Sequence, residues 1–469
     1  MKSIFKKIFF CEYIIKSSER QGDLPGNREA YLRVLSIAWP AILESILISL
    51  ISVVDTAMVS TLGNQAIAAV GISGQPRSIA LSVIFSLNVG VTAVVSRRKG
   101  ENNQEGANRC LKQCLLISAF LAILLSIICI IFARPILLFA GAQLDYIDLA
   151  VQYTRIIISG LVFTAVSQTI TAAQRGCGKT KISMWTNVGA NIVNVILNYL
   201  LIGGHLGFPK LGIAGAAIAS FTSFVVSALI AIVSAVRKET FINLRYKTSW
   251  WFDGATMKAV WKVSSSTAVE QVLFNRVGYF ISGKLTASLG TVAFATHQIC
   301  SNLFSVSLSF TEGFNATASS LMGQSLGEKR EDKARLYVGL SQRVAALGAM
   351  ILMCVYIFLR VPLLNIYDAD AAVIALGGPV LILIGLMTNI QTAQNVYTAS
   401  LRGAGDTRYI AYVSMISVMI LRPLLIWLFA YGLQGGLLGV WIASETDQAV
   451  RFVFSYARFR SGKWKEIKL

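Results

Sequence analysis

Arg175-Gly176-Cys177-Gly178-Lys179-Thr180 returns later in the chain as Arg402-Gly403-Ala404-Gly405-Asp406-Thr407, at an offset of 227 residues. Its surroundings return with it. Leu62-Gly63, Ala66 and Ala68 recur as Leu289-Gly290, Ala293 and Ala295, and Pro135 recurs as Pro362. Gly100-Glu101 and Ala107 recur as Gly327-Glu328 and Ala334. Further on, Gly212, Gly215 and Ile218-Ala219-Ser220 recur as Gly436, Gly439 and Ile442-Ala443-Ser444 at an offset of 224, so the second copy is shorter by three in the preceding loop. Matches held at one spacing over half a chain mark an internally repeated architecture.

What is repeated follows from composition. Charged residues make up 14% of 469, against about 25% in soluble domains. Hydrophobic residues reach 55% and mean hydropathy is +0.63. These values exclude a disordered chain and a disulfide scaffold, and argue against a soluble enzyme. Crossing a bilayer takes about 20 apolar residues per helix, and twelve such segments run between residues 33 and 458. The expected fold is an all-α integral membrane protein with twelve transmembrane helices in two six-helix bundles. Six spans per copy is an even number, so both copies enter the membrane in the same direction, a parallel repeat about an axis along the membrane normal. The expected parts are a cytoplasmic amphipathic segment at 1–32, bundles at 33–236 and 257–458, a cytoplasmic linker at 237–256 with Trp250-Trp251, and a basic tail at 459–469.

The net charge of +19 is a matter of topology. The N-terminus and every second loop after it hold nearly all the Lys and Arg, which places both termini in the cytoplasm of a multi-pass protein of the cell membrane. No nucleic-acid partner is implied. Seven cysteines form no disulfide framework, and Cys110 and Cys114 lack the further ligands a metal requires. The run ending in Gly178-Lys179-Thr180 is no nucleotide loop, because Ala173 stands where its first glycine belongs and the second copy reads Asp406 for the lysine. Around residues 1–16, lysines interleave with Ile and Phe and no cleavage site follows, the pattern of an interfacial helix.

Carboxylates inside spans are costly, about 2.5–3.5 kcal/mol each near the bilayer centre, so each is expected to face a cavity or a partner. Asp447 has Arg451 four residues on, a pairing distance on a helix. Glu44, Asp55 and Glu270 have no basic residue at helical spacing and are the functional candidates. In the fifth span Asn187, Asn191, Asn194 and Asn198 are spaced 4, 3 and 4, one face of a helix. Gln168 in the fourth span and Gln391 and Gln394 in the tenth add polar faces. His205 and His297 are far apart, and neither is expected to be a ligand.

Pro40, Val54-Asp55-Thr56, Leu62-Gly63 and Ala68-Ala69-Val70-Gly71 resemble the first span of the multidrug and toxic compound extrusion (MATE) transporters. The stretches 295–299, 401–407 and 458–464 resemble family signatures of the second bundle. The resemblance implies export of organic cations against inward sodium or protons, with no resident cofactor or metal, no nucleotide and no catalytic residue. It implies a cation-coupling set of Asp55, Asn194, Asn198 and Ser220, with Asn198 where relatives carry a second Asp and Ser220 where they carry Thr. Glu270 matches the acid of another branch, whose second acid is replaced here by Gln391. A cavity for small organic substrates is expected from Glu270, Gln391, Gln394, Gln168 and Glu44, and the protein is expected to be a monomer. Proton coupling is expected over sodium, since the missing second carboxylate weakens a sodium site more. The alternative is a lipid-linked oligosaccharide flippase of the same superfamily, with Arg77, Arg276 and Arg422 as its cationic residues.

Overall fold

The computed structural model describes residues 10–15, 17–237, 240–367, 370–467 and 469. No strand occurs among them. Twelve spans run in chain order. In the first copy they are α1 Asn27–Ser60, α2 Asn64–Gly100, α3 Gln104–Ile131, α4 Ile147–Ser159 with Leu161–Gly176, α5 Thr180–Gly203 and α6 Gly212–Val236. In the second, α7 runs through Gly254–Ala268, a π-helical turn Val269–Phe274, and Asn275–Ala287. It is followed by α8 Thr291–Gly327, α9 Glu331–Phe358 and α10 Ala371–Ala404. The last two are α11 Thr407–Gly432 and α12 Gly436–Ser461.

Eight of the described helices are long and apolar enough to cross a bilayer, or nine when the two pieces of α4, bent by 42°, count as one. The other three, α7, α8 and α12, have the length, but polar residues interrupt their apolar runs, among them Glu270 on α7, His297, Gln298 and Asn302 on α8, and Glu445 and Asp447 on α12. The chain is thus an all-α, multi-pass membrane protein. On α3 the large side chains Phe120, Ile127 and Ile131 are exposed, which suits a helix facing acyl chains as apolar as they are.

The repeat is written into the backbone. Both ends of α2 and α3 recur 227 residues later as both ends of α8 and α9. Gly63 and Gly290, each at the start of the second span of its copy, have φ of 94° and 105°, a region open to glycine. Asn102 and Lys329 turn the next corner with φ of 53° and 56°.

Contacts divide the chain into two units, Met1–Ile42 with Lys262–Leu469, and Leu43–Trp261. The start of α1 therefore belongs with the second copy. Ala30, Val34 and Ile37 bury against Leu321, Leu336 and Leu340, and Arg33 donates to the Tyr337 hydroxyl at 3.3 Å and the Gln324 carbonyl at 3.1 Å. Cys11 and Ile15 join the same cluster. The amphipathic helix expected around residues 1–16 lies mostly outside the described residues.

The linker is docked, not loose. Buried Asn108 of α3 donates to the Phe241 carbonyl at 3.0 Å and accepts from the Asn243 amide at 2.5 Å. Lys112 Nζ donates to the Tyr246 and Thr248 carbonyls at 2.8 and 3.2 Å and sits 5.0 Å from the Trp250 ring. Gln113 donates to the Trp251 carbonyl. Lys112 is buried as the peg of this joint. At the other terminus Trp464 is fully buried and stacks on Phe459, its indole N–H donating to the Phe459 carbonyl at 2.7 Å.

Candidate functional site

Within the unit Leu43–Trp261, α1 and α5 are joined by two acids and the asparagine stripe. The two ends of the stripe meet two carboxylates on α1, three turns apart. Asn187 donates to Glu44 Oε1 at 2.5 Å and Ser183 to the same oxygen at 3.0 Å. Glu44 Oε2 is buried with no partner among the described residues.

Asp55 is the other acid. Asn198 Nδ2 donates to its Oδ1 at 2.8 Å. The Asn194 amide, oriented by hydrogen-bond complementarity, presents its nitrogen at 2.8 and 3.0 Å from the two carboxylate oxygens, and its oxygen accepts from the Ser220 amide at 3.2 Å. The four residues of the expected cation-coupling set are thus neighbours. Asp55 makes no ion pair with any described residue. Asn198 Oδ1 is buried with no described partner. The result is a carboxylate held by amides alone, beside an unengaged carbonyl oxygen, and it retains the capacity to take up a cation.

The residues expected to line a substrate cavity are divided between the two units, Glu44 and Gln168 in this one and Glu270, Gln391 and Gln394 in the other. Glu44 is engaged as above, and Gln168, half-buried on α4 of the same unit, accepts from the Thr171 hydroxyl with its backbone carbonyl at 3.1 Å. In the other unit Glu270 is buried in an ion pair with Arg402 at 2.7 Å, and Ser414 donates to the same oxygen at 3.0 Å. Spacing along one helix cannot reveal a partner 132 residues away, so the apparently unpaired acid was paired through the fold. Gln391 accepts from Ser307 at 3.2 Å, while Gln394 donates to Thr398 at 3.0 Å and lines a separate cavity of about 280 Å³.

Asp447 bonds Arg451 at 3.1 Å as its spacing suggested, and also Arg422, with Nη2 at 2.5 Å and Nε at 3.0 Å, and Ser417. The pairing of Arg422 was missed. An arginine and an aspartate lying inside neighbouring spans was the available signal. Arg77 rests over the Phe224 ring at 4.8 Å. Cys110 and Cys114 sulfurs are 4.0 Å apart, and no group of three or more His, Cys, Asp or Glu able to hold a metal occurs among the described residues.

The profile of the MatE family matches residues 40–200 and 267–428, one stretch in each copy of the repeat. The chain belongs to the MatE family of transporters. A Bacillus subtilis (strain 168) protein described as the uncharacterized transporter YisQ is 26% identical to this MatE chain over 442 residues, 92% of this chain and 94% of its own. The probable multidrug resistance protein NorM of Thermotoga maritima is 25% identical over 435 residues, 92% and 93% of the two chains. A multidrug resistance MATE family transporter of the MOP superfamily, solved facing outward, superposes with a TM-score of 0.86 at 19% identity, over 93% of this chain and 97% of that one. This likeness shows the MatE fold.

Proposed function

We propose that this MatE protein is a secondary active antiporter of the cell membrane, exporting hydrophobic, often cationic organic compounds in exchange for inward-moving ions. The observation that carries the reading is Asp55, a carboxylate in a membrane span held by Asn194 and Asn198 with no ion pair among the described residues. Such a group exchanges one cation for another, because its charge is worth most when a cation neutralises it away from water. Relatives named for multidrug resistance support the substrate class. The two copies of the repeat would alternate access by rocking, with both termini in the cytoplasm, and one chain suffices as the working unit.

Protons are the proposed coupling ion, since Asn198 supplies an amide where a second carboxylate would favour sodium. Sodium is the second reading, and the observation behind it is the buried, unengaged Asn198 Oδ1. Proteoliposomes loaded with a cationic dye distinguish the two. A pH gradient alone drives dye export under the first reading, and a sodium gradient alone, at equal pH, drives it under the second. No export under either gradient overturns the antiporter. The flippase alternative has less support, because the relatives are named for multidrug resistance and Arg77 rests over an aromatic ring.

A further inference from the structure

The two copies can be matched residue by residue, and the register changes where α-helix gives way to π-helix. From α2 to α4 the offset to the second copy is 227, as Gly63 with Gly290 and Gly178 with Gly405 attest in their positive φ. Glu44 and Glu270 are 226 apart. The missing residue enters at the π turn Val269–Phe274, where the Asn275 amide reaches back five residues to the Glu270 carbonyl. Beyond that turn the offset is 227, and Asp55 corresponds to Ser282.

The same happens in α11. Asn187 and Ser414, at 227, both donate to the acid of their copy. By the far end the offset is 228: the Leu211 amide donates to the Leu201 carbonyl at 2.9 Å, and the Gly435 amide to the Phe429 carbonyl at 3.0 Å. The π turn Met415–Leu421 lies between, and a second, Trp427–Gly432, begins only beyond Ile426. Asn194 then corresponds to Arg422 and Asn198 to Ile426, while the 224 offset of the last span matches Ser220 with Ser444. All four counterparts, Ser282, Arg422, Ile426 and Ser444, line a single cavity of about 280 Å³ within the unit that holds Lys262–Leu469. That cavity is the second copy of the Asp55 site with its charge inverted. The acid has become serine, and the amide facing it has become arginine.

Its unmet hydrogen-bonding capacity leans the same way, with His297 Nδ1 a further unpartnered nitrogen whose role follows its tautomer. Arg422 and Arg451 share one carboxylate, Asp447, whose second oxygen is taken by Ser417. Glu445, two residues earlier on α12, accepts from Gln448 at 3.4 Å and is not part of the cavity wall. Trp441 is 4% exposed and Ser282 9%, and neither the indole N–H nor the hydroxyl has a partner among the described residues; nor has Arg451 Nε. Indole and guanidinium nitrogens only donate. His297 and Phe304 flank Trp441 with ring centroids at 5.4 and 5.7 Å, giving the cavity an aromatic wall.

We propose that this cavity binds the carboxylate of a planar aromatic compound, so that the protein recognises aromatic acids and zwitterions through the copy of the site that has lost its acid. As a substrate site it rests on the export reading; as a binding site it does not. The test is equilibrium dialysis of the full-length, detergent-purified protein against 2-naphthoate and its neutral amide, 2-naphthamide. Naphthoate is expected to bind about tenfold more tightly than the amide, and Arg451→Gln to remove most of that preference, the scale of one charged hydrogen bond. Equal affinities of the wild type for the two compounds overturn the proposal. Should Arg451→Gln fail to fold, Trp441→Phe and Ser282→Ala leave the Asp447 ion pairs untouched, and each is expected to weaken naphthoate about threefold or more. Naphthoate binding unchanged in both overturns it as well. Dye export from proteoliposomes reads the antiporter separately, so naphthoate binding without dye export would sink the export reading and leave the site standing.

Discussion

Ser414 donates to Glu270 at 3.0 Å from the position that Asn187 holds 227 residues earlier, where the amide donates to Glu44 at 2.5 Å. The first helix of each copy thus presents a buried acid to the same point on the fifth. What differs is the charge balance. Glu270 has Arg402 at 2.7 Å, whereas Glu44 has only the neutral donors Ser183 and Asn187 among the described residues, and each acid keeps one oxygen without a described partner. Equivalent geometry with unequal neutralisation is how one architecture supports different tasks in its two halves.

Asp55→Asn is expected to abolish ion-driven dye export while leaving membrane insertion and the thermal melt close to wild type. The amide keeps the shape and loses the charge that a cation would neutralise. Export at the wild-type rate in proteoliposomes would show that the coupling site lies elsewhere.

Glu270→Gln is expected to act on stability first. It leaves the Arg402 guanidinium without its carboxylate in a largely buried place, and because Arg402 is 20% exposed the cost is about 1–3 kcal/mol, short of the full penalty for a buried pair. Pairing it with Arg402→Gln should return part of the loss. Melts of the three variants check this, and a double variant no more stable than Glu270→Gln alone would count against the ion pair.

Gly215→Ala and Gly439→Ala are expected to destabilise alike, since a methyl group at each meets a backbone carbonyl of the preceding span, Leu201 or Phe429. Overpacking of this kind costs about 1–3 kcal/mol. The measurement is the melt of each single variant. A loss at one position only would mean that the two copies have unequal slack at this contact.

Lys112→Met is expected to free the linker, since two carbonyls lose a charged donor. Loss of roughly 1.5 kcal/mol of local protection corresponds to about tenfold faster cleavage between residues 240 and 253. Limited proteolysis with mass mapping reads it out, and unchanged cleavage would place the docking energy in Asn108 and Gln113.

Much of the fold was legible because the repeat, the twelve apolar segments and the motif spacing all state it independently. Asp55, Asn194, Asn198 and Ser220 were legible too: one stripe on α5 and the family resemblance pointed to residues that are neighbours in space. The partners of Glu270 were not, because Arg402 and Ser414 come to it from spans 132 and 144 residues away. The inserted residue at Val269–Phe274 did leave a trace in the sequence. At the 227 offset, Glu270 falls opposite Leu43 and misses Glu44 by one, a discrepancy that only a backbone able to absorb an extra residue explains. Arg422 was counted but not placed, since its two tasks depend on Asp447 and on the cavity, and neither is local in sequence.

The docked linker bears on where the chain tolerates foreign sequence. A polar stretch between two halves is the usual choice for an epitope, a reporter domain or a split point, on the assumption that its backbone is idle. Here the carbonyls of Phe241, Tyr246 and Thr248 and the amide of Asn243 are all engaged by α3. An insertion among them would lift buried Asn108 and Lys112 away from these linker acceptors, and tolerance follows engagement of the backbone more closely than polarity. The stretch that looks most like spare cord is a seam, and a label is better carried by an exposed corner such as Leu206, a residue 85% exposed.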